Sequence, residues 1–570
     1  MWKCLALIIC VHTKLVYTDD AWRHVNITQG EVRGRMVPEG GVYAFYNIPY
    51  ATAPTGSNRY KAPLPPPVWL TPFIAEDRKI ICPQSWPESL NIQEDCLVAN
   101  VYVPDTEETN LPVLVNVHGG GYQTGFGTLS EFNALVKTKK LIVVTFNYRL
   151  GVHGFLCLGT EFAPGNAGLK DMVALLRWVN TNIASFGGNP DDVTLAACSA
   201  GSGAVDFLTL SSATKGLFKK AIMESGVSIG GVGAQIDPIQ NAKNFAQVLN
   251  FDDVEDLNNL EEFYKTVSFE QLISRLDAIV NNEGVTVRFG PCVEKDIGQE
   301  RIVSDVPMDI MKTGNYTKIP LMFGFTDKDG ALRLSVFDAW KDRMNEKFSD
   351  FLPTELHFDS KDVKEQVAEK VKKFYFGDDT VGDHSIVSFI NYNTDVLFAY
   401  PMLKALSTRI EALDDTIYLF EYSFVDEDTP SFPHTEVVGA DHCFQYIAVM
   451  DEDVTNRTEE YKQMKQIVRN NWINFVLTGA PLTRDLDLQW PPASVQRSPY
   501  MSLGRDIVLR DSSPIAERAA FWDEIYKEHY RGPIVDKDPV APSPGDATSL
   551  IISNVTIFVA TYLSFLLNRH

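Results

Sequence analysis

An alternation of strand and helix patterns limits this chain to few folds. PVLVNV (112–117) and LIVVTFNY (141–148) are short apolar runs rich in β-branched residues, a composition typical of buried strands. Residues 166–190 then place apolar side chains at helical spacing, and DDVTLAA (191–197) has the pattern of a further strand. Alternation of this kind builds a parallel sheet that is covered by helices on both faces.

We therefore predict an α/β fold with a central, mostly parallel, twisted sheet flanked by helices. A later apolar run, IPLMFGF (319–325), predicts one more strand of the same sheet. No internal repeat or low-complexity linker interrupts residues 19–533. We interpret that stretch as one folded domain.

Both ends of the chain look like processing segments. Residues 1–18 contain a lysine, a short apolar run and then small residues, as a secretory signal peptide does. Residues 534–549 are rich in Pro, Ser and Asp and indicate a linker, and residues 550–570 form a largely apolar tail. The tail predicts a GPI-attachment signal, with the lipid added near Gly545 or Asp546. A single transmembrane helix and a simply secreted form are the alternatives, although the apolar block is short for about 30 Å of hydrocarbon.

The eight cysteines are expected to fall into three groups. Cys4 and Cys10 would leave with the signal peptide. Cys82 and Cys96 bracket a short loop and are a plausible disulfide in an oxidising compartment. The sequence offers no pairing for the remaining four, which are Cys157, Cys198, Cys292 and Cys443. No Cys or His spacing indicates zinc, so we predict no metal site.

The net charge and the glycosylation sequons limit the kinds of partner and the cellular compartment that we expect. The formal net charge of −23 argues against nucleic acid, because phosphate binding needs clustered Lys and Arg. Sequons at Asn26, Asn315 and Asn456 predict glycosylation and agree with export. We expect an extracellular protein whose partner is a small molecule and whose membrane contact is its tail or lipid anchor. The oligomeric state is left open.

The stretch LAACSAGSGAV (195–205) suggests a nucleophile at Ser199. A hydrolase serine that lies on a tight strand-to-helix turn is conformationally strained and needs small neighbours. The neighbours here are small, although Ala197 stands where the usual G-x-S-x-G pattern has its first glycine. A serine that opens a helix can instead be its N-cap, so the pattern alone leaves both interpretations open.

HGGG (118–121) favours the catalytic interpretation. Consecutive glycines after a buried strand expose backbone N–H groups that can point at a developing oxyanion. The residue after the nucleophile contributes a further N–H in such sites. We assign an oxyanion hole to the amides of Gly120, Gly121 and Ala200.

A serine hydroxyl needs a histidine as base and a carboxylate that orients the histidine. The expected chain order for this fold is nucleophile, acid, base. TDKDG (326–330) follows a predicted strand and offers Asp327 and Asp329 as acids. His442 follows Gly439 in a predicted turn and is the candidate base, and His434 is its chief rival.

Several long blocks resemble the type-B carboxylesterase and cholinesterase family over nearly the whole domain. They include YAFYNIPYATAP, EDCLVANVYVP, FNYRLGVHGF and WINFVLTGAP, and their general character is similar to insect carboxylesterases. The resemblance implies the α/β-hydrolase fold and a serine hydrolase without a cofactor.

The resemblance also implies roles for individual residues. It maps the nucleophile to Ser199, the acid to Asp329 and the base to His442. It implies the Cys82–Cys96 disulfide, and it places Ser225 of MESG beside the triad as a supporting hydrogen-bonding residue.

The chain departs from the family pattern at four positions. Ala197 replaces a glycine, and Cys198 stands close to the histidine where the family mostly has glutamate or another polar residue. Asp329 replaces the more frequent glutamate, and Gln445 replaces an acidic residue three positions after His442. None of these removes a triad member, so we expect activity that is slow or narrow in substrate range.

The predicted function is hydrolysis of small or xenobiotic carboxylic esters through an acyl-enzyme. The alternative from another class is a catalytically silent, surface-tethered adhesion protein of the neuroligin kind. Within enzymes, juvenile-hormone esters and choline esters are alternative substrates. Trp86, ten residues before Cys96, hints at choline, but its loop is much shorter than in cholinesterases.

Overall fold

A computed structural model describes residues 21–85, 90–275, 289–481 and 489–533. Several sequence predictions fall on other residues and lie outside the described ones. They are the signal peptide, the linker, the apolar tail with Gly545 and Asp546, the cysteines at 4 and 10, and Trp86.

The centre of the fold is a sheet that comprises thirteen strands within these described residues. Its strands, with the separate pair β5 and β6, are β1 Trp22–Ile27, β2 Gly30–Met36, β3 Val42–Pro49, β4 Phe73–Ile74, β5 Ile80–Ile81, β6 Asn91–Ile92, β7 Val98–Pro104, β8 Leu111–Val117, β9 Ile142–Phe146, β10 Gly188–Cys198, β11 Lys220–Glu224, β12 Leu321–Thr326, β13 Ile417–Tyr422, β14 Tyr500–Leu503 and β15 Ile507–Arg510. The order across the sheet is β1-β2-β3-β7-β9-β8-β10-β11-β12-β13-β14-β15, and β4 pairs with β2.

The strands from β9 to β14 in that order run parallel. The strands at both margins pair antiparallel, except that the short β4 pairs parallel with β2. Every residue of β11 and β12 is buried. Burial on both faces is the property that a parallel sheet between helix layers requires, and it explains the apolar centre of β11 and the apolar run of β12.

The α-helices cover the sheet. In the described residues they are α1 Asn133–Val136, α2 Gly151–Phe155, α3 Ala167–Asn182, α4 Ala200–Leu210, α5 Pro238–Val248, α6 Leu257–Thr266, α7 Phe269–Ile273, α8 Pro307–Thr313, α9 Phe337–Glu346, α10 Lys361–Phe376, α11 Ile386–Thr394, α12 Tyr400–Leu413, α13 Phe444–Val449, α14 Glu459–Thr478 and α15 Ala516–His529. None of the helices in this part of the chain has the length and apolarity that crossing a membrane requires.

The predicted α/β architecture is confirmed. The helix predicted within 166–190 is α3, and the predicted strands are β8, β9, β10 and β12 with boundaries shifted by a few residues. The strand predicted at 319–325 begins only at Leu321 because Pro320 lacks an N–H for the ladder.

Three disulfides join the six described cysteines. Cys82–Cys96 is the predicted pair, with Cα atoms 5.0 Å apart. The four cysteines without a predicted pairing form two further bridges, Cys157–Cys292 and Cys198–Cys443. The sequence missed both because their partners lie 135 and 245 positions apart. The three sequon asparagines are all exposed, at Asn26, Asn315 and Asn456.

Candidate active site

Ser199 lies in the turn that joins β10 to α4. Its backbone has φ 61° and ψ −136°, a region that residues with a side chain rarely adopt and that costs roughly 1–3 kcal/mol. Its N–H donates to the carbonyl of Glu224 (2.9 Å), and its carbonyl accepts from the N–H of Gly203 (3.0 Å). In the described structure the Ser199 side chain makes no capping hydrogen bond to α4, so the N-cap interpretation is not supported.

Close packing explains the small residues around this turn. A Cβ at Gly201 would lie 2.4 Å from the carbonyl oxygen of Val117, and one at Gly119 would lie 3.2 Å from Cβ of Ser199. Ala197 is still part of β10, where it pairs in register with Val117 and Met223. Its methyl is therefore accommodated on the strand before the turn begins.

The glycine loop after β8 passes beside the Ser199 turn. Gly120 has φ 108°, and a Cβ there would lie 2.1 Å from the carbonyl oxygen of Thr124. The Gly120 carbonyl accepts the N–H groups of Gln123 (2.9 Å) and Thr124 (3.0 Å), which closes the loop into a tight turn. Gly120 and Gly121 line the same cavity as Ser199.

Asp329 and His442 form a hydrogen-bonded pair. His442 Nδ1 is 2.7 Å from Asp329 Oδ1, and the Asp329 side chain is fully buried. Since a carboxylate only accepts, Nδ1 carries the proton and the free lone pair of the imidazole is on Nε2. The other oxygen, Asp329 Oδ2, accepts from Ser225 Oγ (2.8 Å) and from the N–H of Thr326 (3.0 Å). Gln445 Nε2 donates to Ser225 Oγ (3.1 Å) and extends the network.

The rival acid and base lie elsewhere. Asp327 Oδ1 accepts from the N–H of Ala440 (3.0 Å), which ties together two loops beside the pair. His434 lies within 4 Å of Asp338 and Asp383 instead. The structure thus brings Asp329 to His442 and leaves both alternatives outside the pair.

Ser199 and His442 line one cavity of about 650 Å³. This volume is in the range of small-molecule sites. Part of the wall is apolar, with Val232, Leu397 and Phe398, and the Phe398 ring stacks on His442 with centroids 4.5 Å apart. The described residues contain no group of His, Cys, Asp or Glu that could hold a metal ion.

The sequence matches the family model described as the carboxylesterase family over residues 21–522. The chain belongs to the carboxylesterase family. The para-nitrobenzyl esterase of Bacillus subtilis (strain 168) is 31% identical over 509 residues, covering 87% of this chain and 97% of that protein. The juvenile hormone esterase of Heliothis virescens is 30% identical over 520 residues, covering 84% of this chain and 90% of that protein.

Two solved structures of esterases have folds similar to this one. The juvenile hormone esterase from Manduca sexta, solved with OTFP covalently attached, is similar with a TM-score of 0.79 and 28% identity, covering 89% of this chain and 100% of that chain. A PNB esterase structure is similar with a TM-score of 0.70 and 29% identity, covering 87% and 99%. These matches confirm the predicted α/β-hydrolase fold, and the protein is a carboxylesterase.

Sequence reasoning missed the role of one pair of cysteines in this carboxylesterase. It treated Cys198 as a substitute for a polar side chain near the histidine. In the structure Cys198 is bonded to Cys443, and both line the cavity. The available signal was their placement, one directly before Ser199 and the other directly after His442.

A buried carboxyl group beside the site was also missed. Glu224 is fully buried at the end of β11 and accepts from Trp472 Nε1 (3.0 Å). Burial is the main cause that raises the pKa of Glu224 to about 8; the hydrogen bond from Trp472 opposes the rise, and the negative charge of Asp329 contributes to it. The signal was a charged residue at the end of the apolar strand KAIME, immediately before Ser225.

His118, at the start of the glycine loop, is a structural group. Burial lowers the pKa of His118 to about 4, so the ring is neutral at physiological pH. It stacks on Tyr148 with centroids 4.3 Å apart, and its Nδ1 lies 2.9 Å from the Gly119 carbonyl. The neutral ring helps to hold the loop shape without adding charge to the cavity.

Proposed function

We propose that this carboxylesterase hydrolyses carboxylic esters through a covalent acyl-enzyme on Ser199. The observation that carries the proposal is the arrangement of a strained serine turn and a histidine oriented by a buried carboxylate around one cavity. These are the parts that make a serine hydroxyl nucleophilic.

In the first half of the reaction, Ser199 Oγ attacks the ester carbonyl while His442 Nε2 accepts its proton. Asp329 stabilises the imidazolium that forms. The N–H groups of Gly120, Gly121 and Ala200 donate to the tetrahedral oxyanion, each worth about 3 kcal/mol in related sites. His442 then protonates the departing alcohol.

In the second half, water attacks the acyl-serine and His442 acts as base again. The oxyanion hole stabilises the second tetrahedral intermediate, and its collapse releases the acid and restores Ser199. Every proton passes through Nε2, since Nδ1 stays bonded to Asp329.

We propose small or xenobiotic carboxylic esters as substrates. The cavity volume and apolar wall support compact, partly apolar groups on both sides of the ester. The adhesion alternative gains no support, because the three side chains that a silent relative can lose are present here. Juvenile-hormone and choline esters stay as competing substrates for a screen.

Labelling with a fluorophosphonate probe tests the mechanism directly. The wild-type protein should become labelled and hydrolyse 4-nitrophenyl butyrate, and Ser199→Ala should lose both properties. Ser130 also lines the cavity, so Ser130→Ala is a matched control that should keep both. Unchanged labelling of Ser199→Ala would refute the assignment.

We further propose export to the cell surface. Three disulfides and three exposed sequons support passage through an oxidising compartment. A GPI lipid near Gly545 or Asp546 would then tether the protein. Release of activity from intact cells by phosphatidylinositol-specific phospholipase C is the expected result, and retention after treatment would contradict the anchor.

A further inference from the structure

One covalent bond joins the two loops that carry the proposed nucleophile and base. Cys198 immediately precedes Ser199, Cys443 immediately follows His442, and their sulfur atoms form a disulfide across 245 positions of sequence. Their Cα atoms are 6.2 Å apart. The bridge therefore connects the last residue of β10 to the loop that carries His442, beside the place where proton transfer would occur.

Both loops have demanding backbone conformations at this point. Ser199, next to the bridge, has φ 61°, and Cys443, one half of the bridge, has φ 63°, so both have a positive φ. Asp329 holds the His442 ring from its Nδ1 side, but this bond does not reach the Ser199 turn. The disulfide joins the loop that carries His442 directly to the Ser199 turn.

We propose that the Cys198–Cys443 disulfide is a positioning element that sets the separation of Ser199 Oγ and His442 Nε2. This inference rests on the proposed serine mechanism. Displacement of a reacting group by about 1 Å can cost roughly 100-fold in rate. Loss of the bridge should therefore lower kcat, and substrate binding should change little because other residues contribute most of the cavity wall.

The molecule contains a matched control. Cys157–Cys292 closes a loop of comparable order, 135 positions, and both its cysteines are buried. It lies outside the residues that line the cavity, whereas Cys198 and Cys443 line it and Cys443 is only partly buried. A small dithiol can therefore approach Cys443 through the cavity.

The decisive comparison is Cys198→Ala/Cys443→Ala against Cys157→Ala/Cys292→Ala. We expect the first variant to lose about 10- to 100-fold in kcat with KM within about 3-fold. The second should melt at a lower temperature and keep kcat within about 3-fold. A kcat of Cys198→Ala/Cys443→Ala within about 3-fold of wild type would overturn the proposal. Fluorophosphonate labelling of wild type, lost in Ser199→Ala, tests the serine mechanism separately.

Reduction provides a second measurement that does not depend on the folding of a variant. A dithiothreitol thiolate attacks Cys443 Sγ, and Cys198 leaves as a thiolate and is protonated. The second thiol then closes the oxidised dithiol ring and frees Cys443. In the Cys157→Ala/Cys292→Ala background, activity should fall as mass spectrometry detects alkylated Cys198 and Cys443, and it should return on reoxidation. Full activity with this bridge reduced would also overturn the proposal.

A different observation concerns charge in the cavity. Among the described residues that line it, Arg333 is the only Lys, Arg, Asp or Glu, although the chain as a whole carries a net charge of −23. Its Nε is buried without a hydrogen-bond partner in the described structure, and its guanidinium lies over the Trp340 ring at 5.3 Å from the centroid. Burial lowers the pKa of Arg333 but leaves it a cation.

We infer that Arg333 binds an ionised carboxylate of the substrate, so that esters carrying a second, free carboxyl group are favoured. The inference rests on the proposed function of the cavity. A partly desolvated guanidinium without a described carboxylate partner is costly, and a ligand carboxylate would both neutralise it and accept two parallel hydrogen bonds. His118, which also lines the cavity, is neutral and supplies no second cation there.

Matched substrates test this inference. The adipic acid mono-ester and the hexanoic acid ester of 4-methylumbelliferone have the same acyl length and differ in a terminal carboxylate. Wild type should have the higher kcat/KM for the adipyl ester, and Arg333→Gln should lower that ratio at least about 10-fold while hexanoate hydrolysis persists. Arg333→Lys should retain part of the preference.

A second pair with the carboxylate on the alcohol side distinguishes the two ends of the ester. It consists of the butyrate esters of 6-hydroxyhexanoic acid and of 1-hexanol. A fall in either carboxylate preference on Arg333→Gln supports the inference. Unchanged ratios in both pairs, with neutral esters still hydrolysed, would overturn it and leave the serine mechanism intact.

Discussion

Two turns at the carboxyl edge of the same parallel sheet place their proposed catalytic residues in different ways. The turn after β10 places Ser199 by shape, with φ 61° at the serine and Gly201 packed against the Val117 carbonyl. The turn after β12 places the Asp329 carboxylate by hydrogen bonds, from Thr326, Ser225 and His442.

This difference predicts which substitutions each turn tolerates. A turn placed by packing fails when atoms are added, because backbone atoms of β8 cannot retreat from a new side chain. A carboxylate placed by several hydrogen bonds can lose them one at a time, and each loss acts on the chemistry more than on the fold. Variants of the two turns should separate stability from kcat.

The largest effect is expected for Asp329→Asn. The amide can no longer stabilise the imidazolium and favours the wrong tautomer of His442, so kcat should fall roughly 10⁴-fold with little change in melting temperature. Steady-state kinetics on 4-nitrophenyl butyrate measure this. Asp327→Asn, two positions earlier and bonded to Ala440, is the matched control and should stay within about 10-fold of wild type.

Glu224 ends the strand between the two turns and should impose a pH dependence on stability. Its pKa is about 8 in the folded state against an ordinary value of 4.5, so the folded state holds this proton more tightly. The stabilisation is complete below about pH 4.5 and is lost as pH rises to about 8, by up to about 4 kcal/mol.

Glu224→Gln should remove that contribution, because the amide does not titrate. Urea unfolding at several pH values measures this contribution. The free energy of unfolding of Glu224→Gln, relative to that of wild type, should increase steadily between about pH 4.5 and 8. Parallel curves for the two proteins would show that Glu224 does not titrate in this range.

Gly201→Ala tests placement by shape. The new methyl would lie 2.4 Å from Val117 O and 2.7 Å from His118 O, so the free energy of unfolding should fall by about 2–3 kcal/mol. Chemical denaturation measures the loss. Gly216→Ala is the control, since it has φ 85° but open space around it, and it should cost only about 1 kcal/mol.

The smallest effect is expected for Ser225→Ala. Asp329 Oδ2 loses one of its two donors and keeps the N–H of Thr326, so kcat should fall about 10-fold with KM unchanged. Ser228 is an equally buried serine that bonds Asp206 instead. Ser228→Ala should lower stability and leave kcat at the wild-type value, and equal kcat losses in both variants would contradict a specific role for Ser225.

Elements formed by neighbouring residues were predictable from the sequence. Helix α3 lies inside the predicted 166–190, and β8 differs from the predicted 112–117 by one residue, Leu111. Apolar spacing and β-branched runs are local properties, so they indicate the element before any tertiary contact forms. The Ser199 turn was equally readable, since small residues after an apolar strand are a local requirement of the turn.

Contacts between distant residues were not predictable from pattern. The residues alone left both Asp327 and Asp329 open, and only the family resemblance selected Asp329. No local pattern was sufficient to pair Cys198 with Cys443, to show the raised pKa of Glu224 or to place Arg333 in the cavity wall. Each depends on burial or on a neighbour that another strand or loop supplies.

The sequence by itself therefore determined the α/β alternation, the serine turn and the glycine loop, because short stretches with their own steric and apolar requirements encode them. Only the tertiary structure decided which cysteines join and which charge faces the cavity, and it supplied the contact between Asp329 and His442. The sheet order brings residues 113 to 245 positions apart into contact, and burial there sets charge and bonding that no local pattern records.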